Sequence, residues 1–152
     1  MITVNVQVKN GKRIIGNTMS SGIMNEALRK SIEQFNDLPN HFVTLIIQNS
    51  ISASISHSDA KSQTNGLISF RKKGHNHSVI YVFMLNVHRS SGNLYLYHAA
   101  HVIGHELGHL HDYLSGTFQG KTGKEKEIYA DSFSDRVTGI EGFHSALEFY
   151  QG

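Results

Sequence analysis

The chain has 152 residues, enough for one domain around a single core and too few for two full ones. Apolar residues make up 39% and charged residues 17%, with one proline and no long biased tract, which excludes a disordered chain. The fourteen Lys and Arg and twelve Asp and Glu are scattered, so nothing calls for a nucleic acid or an anionic membrane as partner, and zero Cys excludes a disulfide framework, thiolate metal sites and a cysteine nucleophile.

In chain order, Ile2, Val4, Val6 and Val8 alternate with polar residues, and Asn10-Gly11 then offers a tight turn before Arg13-Ile14-Ile15, which predicts a β-hairpin. The same stretch lacks the basic start and apolar core of a secretory signal, so the expectation is a cytoplasmic protein. Ser20 or Ser21 would cap a helix carrying Met24, Ala27, Leu28, Ile32 and Phe35 at helical spacing, stopped at Leu38-Pro39. Phe42 to Ile47 reads as a strand, residues 50 to 56 as its extension or partner, and the Ser-rich stretch from His57 to Gly66 as a loop. Gly66 to Phe70 and Val79 to Leu85 read as two further strands joined by a polar turn, the second apolar enough to be central but far too short to span a bilayer.

After a turn at Arg89 to Gly92, a helix is expected from about Leu94 to Leu114, a second from about Lys124 to Thr138 ended by Gly139, and a short one from Gly142 to Tyr150. The order of hairpin, helix, strands and helices is that of an α+β domain over residues 1 to 152, with a small mixed or antiparallel sheet.

Eleven His is the outlying count, and any metal must be held by His, Asp or Glu. His105-Glu106-Leu107-Gly108-His109 is an HExxH, whose histidines lie four apart and can aim two imidazoles at one ion with Glu106 beside it. On a wheel Ala99, Ala100, Ile103, Leu107, Leu110 and Leu114 share one arc, and His98, His101, His105, His109 and Asp112 the opposite one. A chain this rich in His carries an HExxH by accident roughly 4% of the time, so the motif needs support. Support comes from Glu127-Ile128-Tyr129-Ala130-Asp131, an ExxxD whose carboxylates also lie four apart on one helix face. The competing reading of Glu127 and Asp131 is a solvated charged face, since Lys124, Glu125, Lys126 and Asp135 are nearby.

HELGH followed eighteen residues later by EIYAD resembles the gluzincin zinc peptidases, most closely the minigluzincins and the catalytic core of the CaaX-protease and HtpX type. Through HELGH, Glu127, Ala130, Asp131 and Phe133 it also resembles the ImmA/IrrE family, but Asp135-Arg136-Val137-Thr138-Gly139 departs from the aliphatic run and Met-Pro usual there. The resemblance covers roughly residues 78 to 150. It implies a zincin-like fold in which the HExxH helix and a following glutamate helix hold one zinc per chain.

Carried over by position, His105, His109 and Glu127 become the zinc ligands, Asp131 orients a ligand imidazole, most simply His105, and Glu106 is the general base toward a zinc-bound water that hydrolyses a peptide bond. Gly108 is the small residue that lets the second helix come close. A donor to the oxyanion is expected, with His98, His101, Tyr129 and His144 as candidates. The partner is then a peptide or protein substrate, bound by strand addition to the strand before the HExxH helix or to Gly66 to Phe70. The alternative is a zincin-fold binding or regulatory protein with one dedicated partner; a retained Glu106 favours the enzyme, because a binding-only metal site needs no base.

Overall fold

The computed structural model describes residues 1–49, 64–70 and 75–143. Strand β1 (Ile2–Asn10) turns at Gly11 and Lys12 into β2 (Arg13–Gly16), antiparallel with Asn10 opposite Arg13; the hairpin is the one the alternation predicts, with its turn one residue beyond the expected Asn10-Gly11. Helix α1 (Gly22–Glu33) is capped by Ser21, whose hydroxyl accepts the N–H of Met24 at 3.2 Å. Strands β3 (His41–Gln48), β4 (Gly66–Phe70) and β5 (His77–Phe83) follow, then α2 (Met84–Ser91), a single turn at Gly92–Leu94, α3 (Tyr95–Leu114) and α4 (Gly123–Thr138). No helix among the described residues is long and apolar enough to cross a membrane.

Helix α2 corrects the sequence reading, which ran a strand to Leu85 and placed a turn at Arg89 to Gly92. The apolar run Val79 to Leu85 is continuous in sequence, but the backbone turns helical at Met84, where no side chain caps the new helix, and Val87 is fully buried. The strand expected over residues 50 to 56, most of the Ser-rich stretch and most of the helix expected over 142 to 150 lie outside the described residues.

The fold is α+β with a five-stranded mixed sheet among the described residues, in the order β2-β1-β3-β5-β4. The central pairs β1 with β3 and β3 with β5 are parallel, and both outer pairs are antiparallel. The register sets Val4, Val6 and Val8 beside Val43, Leu45 and Ile47, then Ile80 and Val82, then Gly66, Ile68 and Phe70. Because side chains alternate along each strand, all of these share one face of the sheet. The apolar ones among them join Leu28, Ala99, Ile103, Leu107, Leu110 and Phe133 of the helices in one core. The sheet and α1 thus fix one side of α3 and leave its histidine side turned toward α4.

Candidate metal centre

Helices α3 and α4 meet through a ladder of histidines and carboxylates at matched four-residue spacing. His109 Nε2 lies 3.5 Å from Glu127 Oε1, His105 Nδ1 lies 2.6 Å from Asp131 Oδ1, and His101 Nε2 lies 3.1 Å from Asp135 Oδ1. Each step back along α3 matches a step forward along α4, so the helices run antiparallel with their polar rows facing. Small residues make this close approach possible. A Cβ on Gly108 would sit 2.9 Å from Ala130 Cα and 3.0 Å from its carbonyl oxygen, and one on Gly104 would sit 2.9 Å from Thr138 Cγ2. Gly108 therefore has the role its sequence position suggests, with Gly104 repeating it one turn earlier. Ser134 adds a bond across the same seam, its hydroxyl donating to the carbonyl of His101 at 2.8 Å.

His105, His109 and Glu127 each offer a ligand atom, and these atoms lie within 4.8 Å of one another, a group that could hold a metal ion. Glu127 Oε2 is sealed from water and lies 2.8 Å from His105 Nε2, yet has no aligned hydrogen bond. A buried carboxylate with one oxygen facing His105 Nε2, the other facing His109 Nε2, and no aligned donor on the first, fits a cation between the three side chains. The donor set is N, N and O, all acceptable to zinc among other divalent ions. Asp131 lies where an orienting carboxylate belongs, on Nδ1 of His105, which leaves Nε2 to face Glu127.

The electrostatics follow from this clustering. Burial pushes the imidazole of His105 toward neutrality, but the Asp131 and Glu127 carboxylates outweigh it and raise its pKa to about 10. Burial likewise opposes the charge on Glu127, and the adjoining imidazoles of His105 and His109 overcome it, lowering its pKa to about 2. Glu106 is different: only 6% exposed, its carboxyl is raised by burial, against the pull of His105 and His109.

Glu106 lies under the edge of the sheet. A Cβ on Gly66 would fall 3.2 Å from Glu106 Oε1 and 2.5 Å from Val102 Cγ1, so only glycine leaves room for the carboxylate and the helix beneath. Nothing in the sequence singles out Gly66, since its requirement comes from a helix far along the chain. The carbonyl of Asn65 accepts the N–H of Phe83 at 2.8 Å, and Gly66 is opposite Val82. In an antiparallel pair bonding alternates, so Leu67 and Ser69 bond to β5, while Gly66, Ile68 and Phe70 turn N–H and C=O outward. Among the described residues no strand pairs with that outer edge. Strand β5, the other candidate for strand addition, lies between β3 and β4 and has no free edge.

The candidates for the oxyanion donor are held elsewhere. The Tyr129 hydroxyl is bonded to His111 Nδ1 at 2.7 Å, on the side of α3 away from His105 and His109. His98 bonds Ser91 Oγ at 2.6 Å and stacks on Phe143 with centroids 4.8 Å apart, while His101 is fully buried against Asp135. His144 lies outside the described residues. Asp135 was legible only as surface charge, although its spacing of four from Asp131 continues the row.

No protein-family model matches the chain, and searches of curated proteins and of solved structures find no match either.

Proposed function

We propose that this chain is a zinc metallopeptidase of gluzincin type with a zincin-like fold, hydrolysing peptide bonds. The observation that carries the reading is the convergence of His105, His109 and Glu127 within 4.8 Å beside a buried Glu106. Three protein ligands suit a catalytic zinc, since structural zinc sites are usually closed by four. The mixed sheet, the HExxH helix beneath its edge and the following glutamate helix agree with the same reading.

His105, His109 and Glu127 would hold the zinc. When bound, zinc supplies Lewis acidity, polarising a substrate carbonyl and acidifying water at neutral pH. Asp131 accepts from His105 Nδ1, which fixes the tautomer that presents Nε2 as a lone pair. Glu106 is the general base: its carboxylate takes the proton from the attacking water and returns it to the leaving amine. Burial raises its basicity, which suits a group that must accept a proton and then release it. The outward backbone groups of Gly66, Ile68 and Phe70 would receive an extended peptide as an added strand, with Gly66 bringing that peptide over Glu106. An alternation of N–H and C=O along the edge recognises backbone and not sequence, which fits a peptide substrate better than a small molecule.

The test is cleavage of an unstructured protein by the purified chain. Hydrolysis that is lost on chelation and restored by added zinc is expected; a zinc-loaded chain that leaves every such substrate intact contradicts the proposal.

A further inference from the structure

Beyond the ligand cluster, the outer edge of β4 leads away from Glu106 to a group of half-buried rings. Phe70 stacks on Tyr113 of α3 with centroids 4.6 Å apart, and Phe118, in the loop after α3, meets Phe70 edge-on at 5.3 Å. Phe118 also lies edge-on to the His109 imidazole at 6.3 Å, so the rings adjoin the ligand cluster. The Lys126 ammonium sits 4.2 Å from the centre of the Phe118 ring. Phe70 and Tyr113 pack against the core, whereas Phe118 lies outside it.

The loop holding Phe118 is anchored from below. Asp112, fully buried, accepts from Thr117 Oγ1 at 2.6 Å and from Lys121 Nζ at 2.7 Å through one oxygen, and the N–H of Thr117 returns to the Asp112 carbonyl at 3.1 Å. A buried carboxylate tying both ends of a short loop makes the ring a fixed wall, which reduces the ordering cost of anything bound against it.

Register connects this wall to the metal centre. Helix α3 runs alongside β4, with Val102 and Glu106 under Gly66 and Tyr113 under Phe70. Four strand residues and nine helix residues both span roughly 13 Å, so the two descriptions agree. A chain added to the edge places the side chain opposite Phe70 on the same face as Phe70. That side chain comes down on Phe70 and Phe118, about two to three residues from the bond over the ligand cluster.

We infer that Phe70, Tyr113, Phe118 and Lys126 form a side-chain subsite that selects substrates with an aromatic residue about two to three positions from the cleaved bond. Aromatic over aliphatic follows from what the wall is made of, three adjoining rings with the Lys126 ammonium over one of them. The inference rests on the peptidase reading of the same cleft and adds the substrate class to it.

The experiment uses short peptides of alanine and serine in which one phenylalanine, or one leucine, is moved through successive positions. Cleavage is measured with the zinc-loaded chain, and binding with the zinc-loaded E106Q variant. Phenylalanine at one position should raise kcat/KM by about tenfold over alanine and also exceed leucine there. Phe118→Ser should reduce that preference toward unity, and Phe118→Tyr should restore it. Zinc affinity, measured by chelator competition, should stay near the parent value in both variants, reporting that the helices keep their places. Cleavage without a positional preference, or a preference that survives Phe118→Ser, overturns the subsite and leaves the peptidase reading intact. Preferential binding without cleavage overturns hydrolysis and keeps the subsite, and neither cleavage nor binding of any peptide overturns both.

Discussion

Glu127 and Asp131 share one face of α4 and differ by one methylene, yet they meet different atoms of α3. Glu127 reaches past the ring of His105 to face Nε2 of both histidines, whereas Asp131 stops at Nδ1 of His105. Under the proposed zinc site, removing the first deletes a ligand and removing the second only frees the orientation of one. Asp131→Ala should weaken zinc binding by about 10-fold to 100-fold, and Glu127→Ala by clearly more. Chelator competition reads the order directly, and Asp131→Ala proving the weaker binder would exchange the two roles. These residues were legible because spacing of four on a helix is a property of sequence. The partners of His98, His101 and Tyr129 were not, since the groups they bond stand on other helices or turns and only packing brings them together.

Between elements, the decisive feature is how near α4 and β4 come to α3. Gly108 meets Ala130 backbone to backbone, so a methyl group there must push the helices apart, whereas Gly66 meets side chains of Val102 and Glu106. Gly108→Ala should cost about 1–3 kcal/mol in stability and weaken zinc binding, because Glu127 travels with α4. Gly66→Ala should keep zinc and lower kcat, because it displaces Glu106, the proposed base, and spares the three proposed ligands. Denaturant unfolding, zinc titration and turnover on both variants check the pattern; zinc loss from Gly66→Ala with Gly108→Ala unaffected would contradict it. The element types followed from period and caps, as with Ser21 for α1 and Gly139 at the end of α4. The order β2-β1-β3-β5-β4 did not, because parallel pairing of β1, β3 and β5 depends on crossovers that no local pattern encodes. The start of α2 was hidden for a related reason: Met84 and Leu85 continue an apolar run, and no capping side chain marks the change.

For the molecule as a whole, the buried histidines make stability depend on pH from both sides. His98, 3% exposed, has its pKa lowered by burial, next by His101, to about 4 from 6.5. The unfolded chain then binds the extra proton, so stability falls as pH drops from about 6.5 through 4, by on the order of 2 kcal/mol. His105 has the opposite sign: raised to about 10, it contributes stability that is full below about 6.5 and is lost as pH rises through 10. The metal-free chain should therefore have its highest Tm near pH 6.5. Zinc, taking the place of the His105 proton, should flatten the alkaline limb and leave the acid limb; thermal unfolding across pH with and without zinc would show it, and an alkaline limb unchanged by zinc would count against the shared site. In the proposed mechanism, a metal held by α3 and α4 serves hydrolysis through Glu106. The most direct measurement is cleavage of an unstructured protein by the parent and by Glu106→Gln, each first shown to hold one zinc per chain. The variant keeps every ligand and loses only the base, so the account predicts equal zinc content and a rate at least about 100-fold lower; a zinc-loaded Glu106→Gln that cleaves as fast as the parent would contradict it.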